Sequence, residues 1–408
     1  MDVQIRPILS SLRKHRIPAI LIVLEIALAC AVLCNAVFMI GSRLGDIRLS
    51  NAIDEQSLSV VTMNGTNPTL AKSDIPRNLD SLRRIPGVLG VTVMNTMPLT
   101  NNGWNSSFSA DEKATVNNFS NVNAAEYFIG ANAPQVLGLQ LRQGRLFSAD
   151  EYANGTLGKS YLVEQHVVLV TQSLADRLWP NQAPLGKKMY AEPYWYAVVG
   201  VVADVLRPNR QGDGANNIYY SAFFPVQPNE NMGSYVIRSA PQDRQRVIDA
   251  VEKTLGTLDI NAVAKGRSFT DIRDVYFANT RSMVWMLALV CTVMLAVTAF
   301  GIVGLTSFWV AQRRRQIGIR RALGATRGDI MQYFQTENFL LTAAGVLVGM
   351  ALAFGINMYL MQHYEMARMS WYYLPGGAIA LWLLGQLAVF GPARRAAHVP
   401  PVVATRSA

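Results

Sequence analysis

Four apolar runs decide what this chain can become. Residues 17–40, 282–310, 338–361 and 369–393 each reach the length of about 20 mostly apolar residues that a helix needs to cross a bilayer. The first run holds one charge, Glu25, and the other three hold none. Hydrocarbon offers no water to unpaired backbone groups, so such runs must be helices. The first run is too long for a signal-peptide core and lacks a small-residue cleavage site, so it reads as a retained anchor. The chain is therefore expected to be an α-helical membrane protein with four transmembrane helices and one large domain between the first and second.

Charge assigns the sides. The formal net charge is +10, which in a soluble protein would point to nucleic acid. Sorting the charges by segment removes that reading. Residues 1–16 carry Arg6, Arg13, Lys14 and Arg16. The 311–335 loop carries Arg313, Arg314, Arg315, Arg320, Arg321 and Arg327, and the 394–408 tail carries Arg394, Arg395 and Arg406. These 13 basic residues face only Asp2 and Asp329, whereas residues 42–281 hold 23 basic and 22 acidic residues. The positive-inside rule then makes the N-terminus, the loop and the tail cytoplasmic. The expected spans are 17–41, 282–310, 336–361 and 369–393, with 42–281 and the 362–368 connection outside.

The outer domain has to fold on its core alone. Cys30, Cys34 and Cys291 lie inside the spans, so no disulfide framework is available outside. About 240 residues suffice for such a core. Cys30 and Cys34 read as helix packing. A strand–helix–strand pattern marks each end of the domain: β-rich 58–63, helical 73–84 with Pro76 in its first turn, β-rich 88–94; then a strand at 234–238, a proline-opened helix at 241–255 and a strand at 260–264. Two such units can pair as a split βαβ layer, leaving about 97–232 as an inserted β-rich subdomain. Its clearest elements are strands at 166–171 and 194–203 and a short helix at 173–179. The polar flanks 43–53 and 270–281 are expected to extend the first two spans as helical stalks.

Enzyme chemistry finds no foothold in the pattern. The four histidines (His15, His166, His363, His398) are scattered over three compartments, which argues against a metal cluster, and no HExxH, GxSxG or CxxC motif occurs. Gly155 to Ser160 ends like a phosphate-binding loop, but that loop needs glycine at position 153, where this chain has Ala153. No catalytic, cofactor-binding or metal-binding residue is expected on this chain.

Several stretches carry a family likeness. Gln316-Ile317-Gly318-Ile319-Arg320-Arg321-Ala322-Leu323-Gly324-Ala325 resembles the EIGIRRALGA signature of FtsX-like ABC transporter permeases of the MacB branch, with Gln316 where the family usually has glutamate. Glu337, Gly345 and Gly349 fit the family's third span, and Pro392 to Ala397 with Pro401-Val402 resembles its PARRAA…PV tail. Gly144-Arg145-Leu146-Phe147 with Asp150, Ser173 to Pro180, Pro184 to Lys187, and Val198 to Val202 with Asp204 look like the family's outer-domain core. Gly304 stands where many members have asparagine. The resemblance covers nearly the whole chain.

That likeness implies a multi-pass protein of the bacterial inner membrane with a large α+β periplasmic domain. It implies a permease working by mechanotransmission. A separate cytoplasmic ABC ATPase would carry ATP and Mg, and its closure would move the 316–325 helix. A second permease (a copy or a paralogue), a periplasmic adaptor, an outer-membrane channel and membrane lipids are the implied partners, and efflux of a drug, peptide or other small molecule is the implied task. A lipoprotein-release permease like LolC or LolE is the alternative, as is an FtsX-like activator of a cell-wall hydrolase, whose outer domain is much smaller. Ile319, Ala322 and Leu323 can share one face of the loop helix, Gly324 can end it, and Arg320 and Arg321 would meet acidic groups on the ATPase. Two intramembrane acids stand out. Glu25 is either a sensing acid or a neutral glutamate hydrogen-bonded to Asn35, Thr298 or Asn357. Glu337 caps a helix or pairs with a loop arginine. Gly301, Gly304, Gly345 and Gly349 permit close helix packing, within one subunit or across a dimer.

Overall fold

The computed structural model describes residues 16–113, 121–158, 161–209, 217–364 and 368–398. The readings placed on Arg6, Arg13, Lys14, His15, Lys159, Ser160, Pro401, Val402 and Arg406 lie outside these residues. Two compact units emerge: Met1–Arg48 with Thr280–Ala408, and Leu49–Asn279. Helix α1 (Arg16–Ile47) belongs to the first.

The second unit is built on one sheet. Strand β1 (Leu58–Asn64), helix α2 (Ala71–Arg83) and β2 (Val88–Met94) form one βαβ unit; β10 (Ser234–Ser239), α6 (Arg244–Leu258) and β11 (Val263–Ser268) form the other. The strand order β11-β1-β10-β2 interleaves them, and every neighbouring pair is antiparallel. Ile75 and Leu82 of α2 and Val247, Val251 and Leu255 of α6 recur at helical spacing and pack into the core that includes Val61, Met63, Val91, Val93, Tyr235 and Ile237.

Several boundaries differ from the sequence expectation, among them α6 and the end of β11 at Ser268, and two starts have a visible local cause. Helix α2 begins at Ala71, because the Asn67 side chain accepts from Thr69 N at 3.1 Å and opens a 3-10 turn, Pro68–Leu70, ahead of it. Pro76 thus lies in the second turn. Strand β11 begins at Val263 rather than 260: Asp259 Oδ1 accepts from Asn261 N at 3.0 Å, a local turn that uses up the residues after α6.

The insertion extends the same sheet rather than forming its own. Its elements are β3 (Trp104–Phe108), β4 (Val122–Ile129), α3 (Ala133–Leu137), β5 (Leu141–Gly144), α4 (Ala149–Ala153), β6 (Val167–Thr171), α5 (Gln172–Leu178), β7 (Lys188–Ala191), β8 (Tyr194–Val202) and β9 (Ser221–Pro225). The order continues β2-β4-β9-β6-β8-β5, joined to the first half through the single pair Met94↔Ile129. Phe108, Phe128, Tyr196 and Phe224 belong to the same hydrophobic cluster as the βαβ helices. The family-like glycines are explained by contact. Gly144, at φ +78°, lies opposite Gly200, and a Cβ there would strike the Val199 carbonyl and lie 2.9 Å from Gly200 Cα. Arg145 meets Glu151 through two hydrogen bonds of 2.8 and 2.6 Å, and Asp204 accepts from Ser173 N and Oγ at 2.8 and 2.6 Å.

The flanks are partly helical. Helix α1 ends at Ile47, and the next regular element is β1. On the return, α7 (Phe269–Tyr276) is separated from α8 (Ala278–Gln312) by Phe277 at φ −91°, ψ 4°.

The helical unit continues with α9 (Arg314–Ala322), α10 (Arg327–Tyr364) and α11 (Tyr373–Ala397). Helices α1, α8, α10 and α11 are long and apolar enough to cross a membrane. The fold class is thus four apolar helices with a mixed α+β domain. Gly345 and Gly349 bring α10 against α1: a Cβ on Gly345 would lie 2.8 Å from Ile26 Cβ, and one on Gly349 2.7 Å from Ala27 O. A Cβ on Gly377 of α11 would likewise lie 2.5 Å from Cys34 Sγ. Helix α8 buries only a stripe that includes Cys291, Thr298, Ile302, Thr306 and Trp309, and leaves Trp285, Leu289 and Phe300 exposed.

One buried acid makes the outer domain sensitive to pH. Glu126 on β4 is 3% exposed and its Oε1 has no hydrogen-bond partner. Burial pushes its carboxyl from 4.5 up to about 7, against a smaller downward pull from Ser106. Because the folded pKa lies above the unfolded one, its effect on stability is nil below pH 4.5 and grows unfavourable as pH rises towards 7, reaching about 3 kcal/mol. Glu126→Gln is therefore expected to raise the stability of the outer domain at pH 8 and leave it nearly unchanged at pH 4.5. Denaturant unfolding of the full chain at the two pH values measures this, and equal effects at both would refute it.

Candidate coupling loop and its intramembrane supports

The loop helix α9 has two unlike sides. Ile317 and Gly318 are buried, and Ile317 belongs to the cluster that includes Ile330, Phe334, Ala396 and Ala397. Ile319, Ala322 and Leu323 are exposed, Leu323 at 83%. Gln316, Arg314 and Arg315 are also exposed. An apolar stripe is thus presented outward by a helix whose other side is fixed.

Backbone geometry ends α9 sharply. Gly324 takes φ +99°, its N–H donates to Arg321 O at 3.2 Å, and Ala325 N donates to Arg320 O at 3.1 Å. This is a Schellman arrangement, which needs a residue free to enter the left-handed region. Thr326 then opens α10 by exchanging hydrogen bonds with Asp329: Asp329 Oδ2 accepts from Thr326 N at 2.9 Å and Asp329 N donates to Thr326 Oγ1 at 3.2 Å. Asp329, in a stretch that reads Arg-Gly-Asp, is a capping residue.

Side chains tie the loop to the helices behind it. Arg321 Nη1 donates to Ala397 O at 2.8 Å, so the final turn of α11 holds the loop. That turn packs through Pro392, Ala393, Ala396 and Ala397 while Arg394 and Arg395 stay exposed. The Arg320 guanidinium sits 4.7 Å from the Tyr333 ring centroid. Both arginines are therefore engaged inside the chain.

The firmest tie is ionic. Arg313 Nη1 lies 3.1 and 3.2 Å from the two carboxylate oxygens of Glu337, and the side chains are 7% and 2% exposed. The guanidinium carbon is also 5.4 Å from the Trp309 ring. This pair joins the turn between α8 and α9 to the body of α10. The sequence marks Glu337 and six loop arginines but does not single out Arg313. The available signal was an arginine directly after an apolar span and four residues after a tryptophan, which favours a guanidinium held at the span's edge.

Glu25 has different surroundings from those its sequence suggests. Asn35 Nδ2 donates to Ala31 O and Ala353 O at 2.9 and 3.1 Å, and Asn357 Oδ1 accepts from Met369 N at 3.0 Å. Neither amide meets Glu25, and no hydrogen bond joins it to Thr298. Its carboxyl instead lies over Gly301 of α8, where a Cβ would strike Oε1. A Cβ on Gly304, one turn on, would meet no other helix within 4 Å among the described residues. Helix rotation, which a GxxG spacing does not encode, separates these two glycines. No group of three or more metal-binding side chains occurs among the described residues.

Comparison with known proteins gives a consistent family. The MacB-like periplasmic core domain matches residues 20–254, more than half the chain, and the FtsX-like permease C-terminal domain matches 288–401. The macrolide export ATP-binding/permease protein MacB of Chromobacterium violaceum is 28% identical over 295 residues, covering 69% of this chain and 43% of that protein. The pyoverdine export ATP-binding/permease protein PvdT of Pseudomonas aeruginosa is 28% identical over 306 residues, 71% of this chain and 43% of that one. MacB of Marinobacter nauticus is 25% identical over 342 residues, 82% and 49%. The chain thus spans about half the length of the curated relatives it matches, or somewhat less. The periplasmic region of MacB from Actinobacillus actinomycetemcomitans aligns with 57% of this chain and 97% of its own, at 18% identity and a TM-score of 0.35.

Two outcomes test the supports. Arg313→Gln removes the guanidinium from the buried Glu337 carboxylate and is expected to cost roughly 3–5 kcal/mol. Adding Glu337→Gln should recover much of the loss, and thermal melts of the detergent-solubilised chain read both. In the same assay Gly349→Val should lower the melting temperature by forcing α1 from α10, while Gly304→Val should not. Equal effects of the two glycine substitutions would contradict the packing described.

Proposed function

The chain belongs to the MacB-like ABC permease family, with a MacB-like periplasmic core domain and an FtsX-like permease C-terminal domain, and from that premise we propose that it is a permease subunit that carries displacement from an ATPase to the outer domain. The observation that carries the reading is the exposed Ile319, Ala322 and Leu323 stripe on a helix held fast from behind by Ile317 and by the Arg321 contact to Ala397. Exposed aliphatic side chains at a cytoplasmic loop cost free energy unless something covers them. The covering partner is an ABC ATPase whose nucleotide site lies outside these residues.

Force would then follow the chain itself and one buried ion pair. Movement of α9 reaches α8 directly through Arg313 and reaches α10 through the Arg313–Glu337 pair. Helix α8 leads back to the outer domain through α7, and α1 enters it two residues after its own end. Orientation in this reading rests on the positive-inside rule: both termini and the 311–335 loop are cytoplasmic, and 42–281 is periplasmic. The task is efflux across the cell envelope, in a dimer with a second permease and with an adaptor and outer-membrane channel. The export roles in the names of the MacB and PvdT relatives support it. Four spans with few polar side chains favour substrates collected from the periplasm or the outer leaflet.

Leu323→Asp places an unpaired carboxylate in the proposed contact. With the ATPase that co-purifies with the chain, it should lower permease-stimulated ATP hydrolysis about tenfold or more, equivalent to at least ~1.4 kcal/mol of lost coupling, while membrane insertion is unaffected. Undiminished stimulation would sink the coupling role.

A further inference from the structure

A groove of about 340 Å³ opens on the outer domain, on the face of the first four strands opposite α2 and α6. Its floor is Val60 and Thr62 of β1 with Ser234 of β10, one wall is the 95–102 loop, and the other is α7 through Ile272 and Val275. Strand β11 supplies the charge. Its residues alternate: Gly266 faces α6, with Ile248 Cγ2 2.5 Å from where a Cβ would sit, so Lys265 and Arg267 project to the other side. Both are exposed, and neither has an ion-pair or hydrogen-bond partner among the described residues. Among the described residues, no carboxylate lines the groove. Two cations on the rim of a concavity without acids form a local positive field that selects for anions.

The loop wall is preformed. Leu99 and Asn101 adopt φ +63° and +59°, a region that L-residues enter at a cost of about 1–3 kcal/mol each. They are held there by Leu99 N donating to Arg207 O at 3.2 Å and Asn101 N to Pro208 O at 2.9 Å. Asn95 anchors the loop start, accepting from Phe128 N at 3.0 Å and donating to Glu126 O at 3.1 Å. Such bracing removes the ordering cost that a mobile loop would add to binding. Val275, 63% exposed, supplies the aliphatic surface, backed in the lining by the buried Leu99 and Ile272. The volume falls at the small end of ligand pockets, about 300–1,000 Å³.

We propose that this groove binds a soluble amphipathic anion, its carboxylate or phosphate held by Lys265 and Arg267 and its apolar body lying against Leu99, Ile272 and Val275. The site is built by the outer domain alone. It stands whether or not α9 couples to an ATPase.

Naphthoate and its uncharged amide, naphthamide, are suitable probes, titrated calorimetrically into the full chain in dodecyl maltoside. Naphthoate should bind about tenfold tighter than naphthamide, a difference of ~1.4 kcal/mol. The Lys265→Gln, Arg267→Gln double variant should lose that advantage and leave naphthamide binding unchanged. Val275→Trp, at an exposed position, should weaken both probes, and Lys253→Gln on the opposite face should change neither. Equal binding of the two probes, or full naphthoate affinity in the double variant, would overturn the proposal. So would the absence of naphthoate binding combined with Lys265- and Arg267-dependent binding of phosphatidylglycerol vesicles, which would assign the two cations to a lipid headgroup.

Discussion

Close approach of helices is the constraint on which the membrane unit depends. Lipid tails solvate leucine as well as another helix does, so association must come from packing and not from escape from water. Gly345, Gly349 and Gly377 answer that need by letting Ile26, Ala27, Cys30 and Cys34 of α1 nearly touch the backbones of α10 and α11. Once α10 is fixed in this way, its Glu337 stands in one place, and Arg313 has a partner to reach. The buried ion pair is tolerated because desolvation of both groups is offset by a short two-oxygen contact. Helix α8, which packs along a single stripe, is held at its end by this pair.

The loop helix inherits the asymmetry of what stands behind it. Ile317 is drawn into the bundle, Arg321 is hydrogen-bonded to the last turn of α11, and Gly324 turns the chain away within one residue. What is left outward is aliphatic. A nine-residue helix is too short to hold its shape unaided, so its outward face is defined only while the bundle defines its inward one.

Much of this was legible in the sequence wherever one local rule dominated. Apolar length marked the four helices, and β-branched runs placed Val88–Met94 and the start of β1. Helical spacing located the buried residues of α6, and it grouped Ile319, Ala322 and Leu323 on one face, which the structure leaves exposed. Tertiary contact was not legible. Spacing ranks Gly301 and Gly304 alike, yet only the first faces Glu25. Asn35 and Asn357 looked like partners for Glu25 but serve backbone groups instead. The β-rich insertion read only as an inserted subdomain, because period-two patterning does not say which sheet a strand joins; the Met94↔Ile129 pair joins it to the βαβ strands. Lys265 and Arg267 alternate at strand spacing, a signal hidden by ending the strand at Ala264 when it runs on to Ser268.

Interleaving the two βαβ units has a consequence for how the outer domain is made. Leu58 pairs with Arg238 and Ser59 with Ser268, so the first strand emerges long before either of its neighbours exists. Pairings this remote in sequence slow folding, because a long loop must close before any contact rewards it. During synthesis the β1–α2–β2 segment therefore waits with both edges of β1 unsatisfied. Completion comes only when β10 and β11 arrive, just ahead of α7 and α8, so the domain closes its sheet as the chain passes into its second long apolar helix.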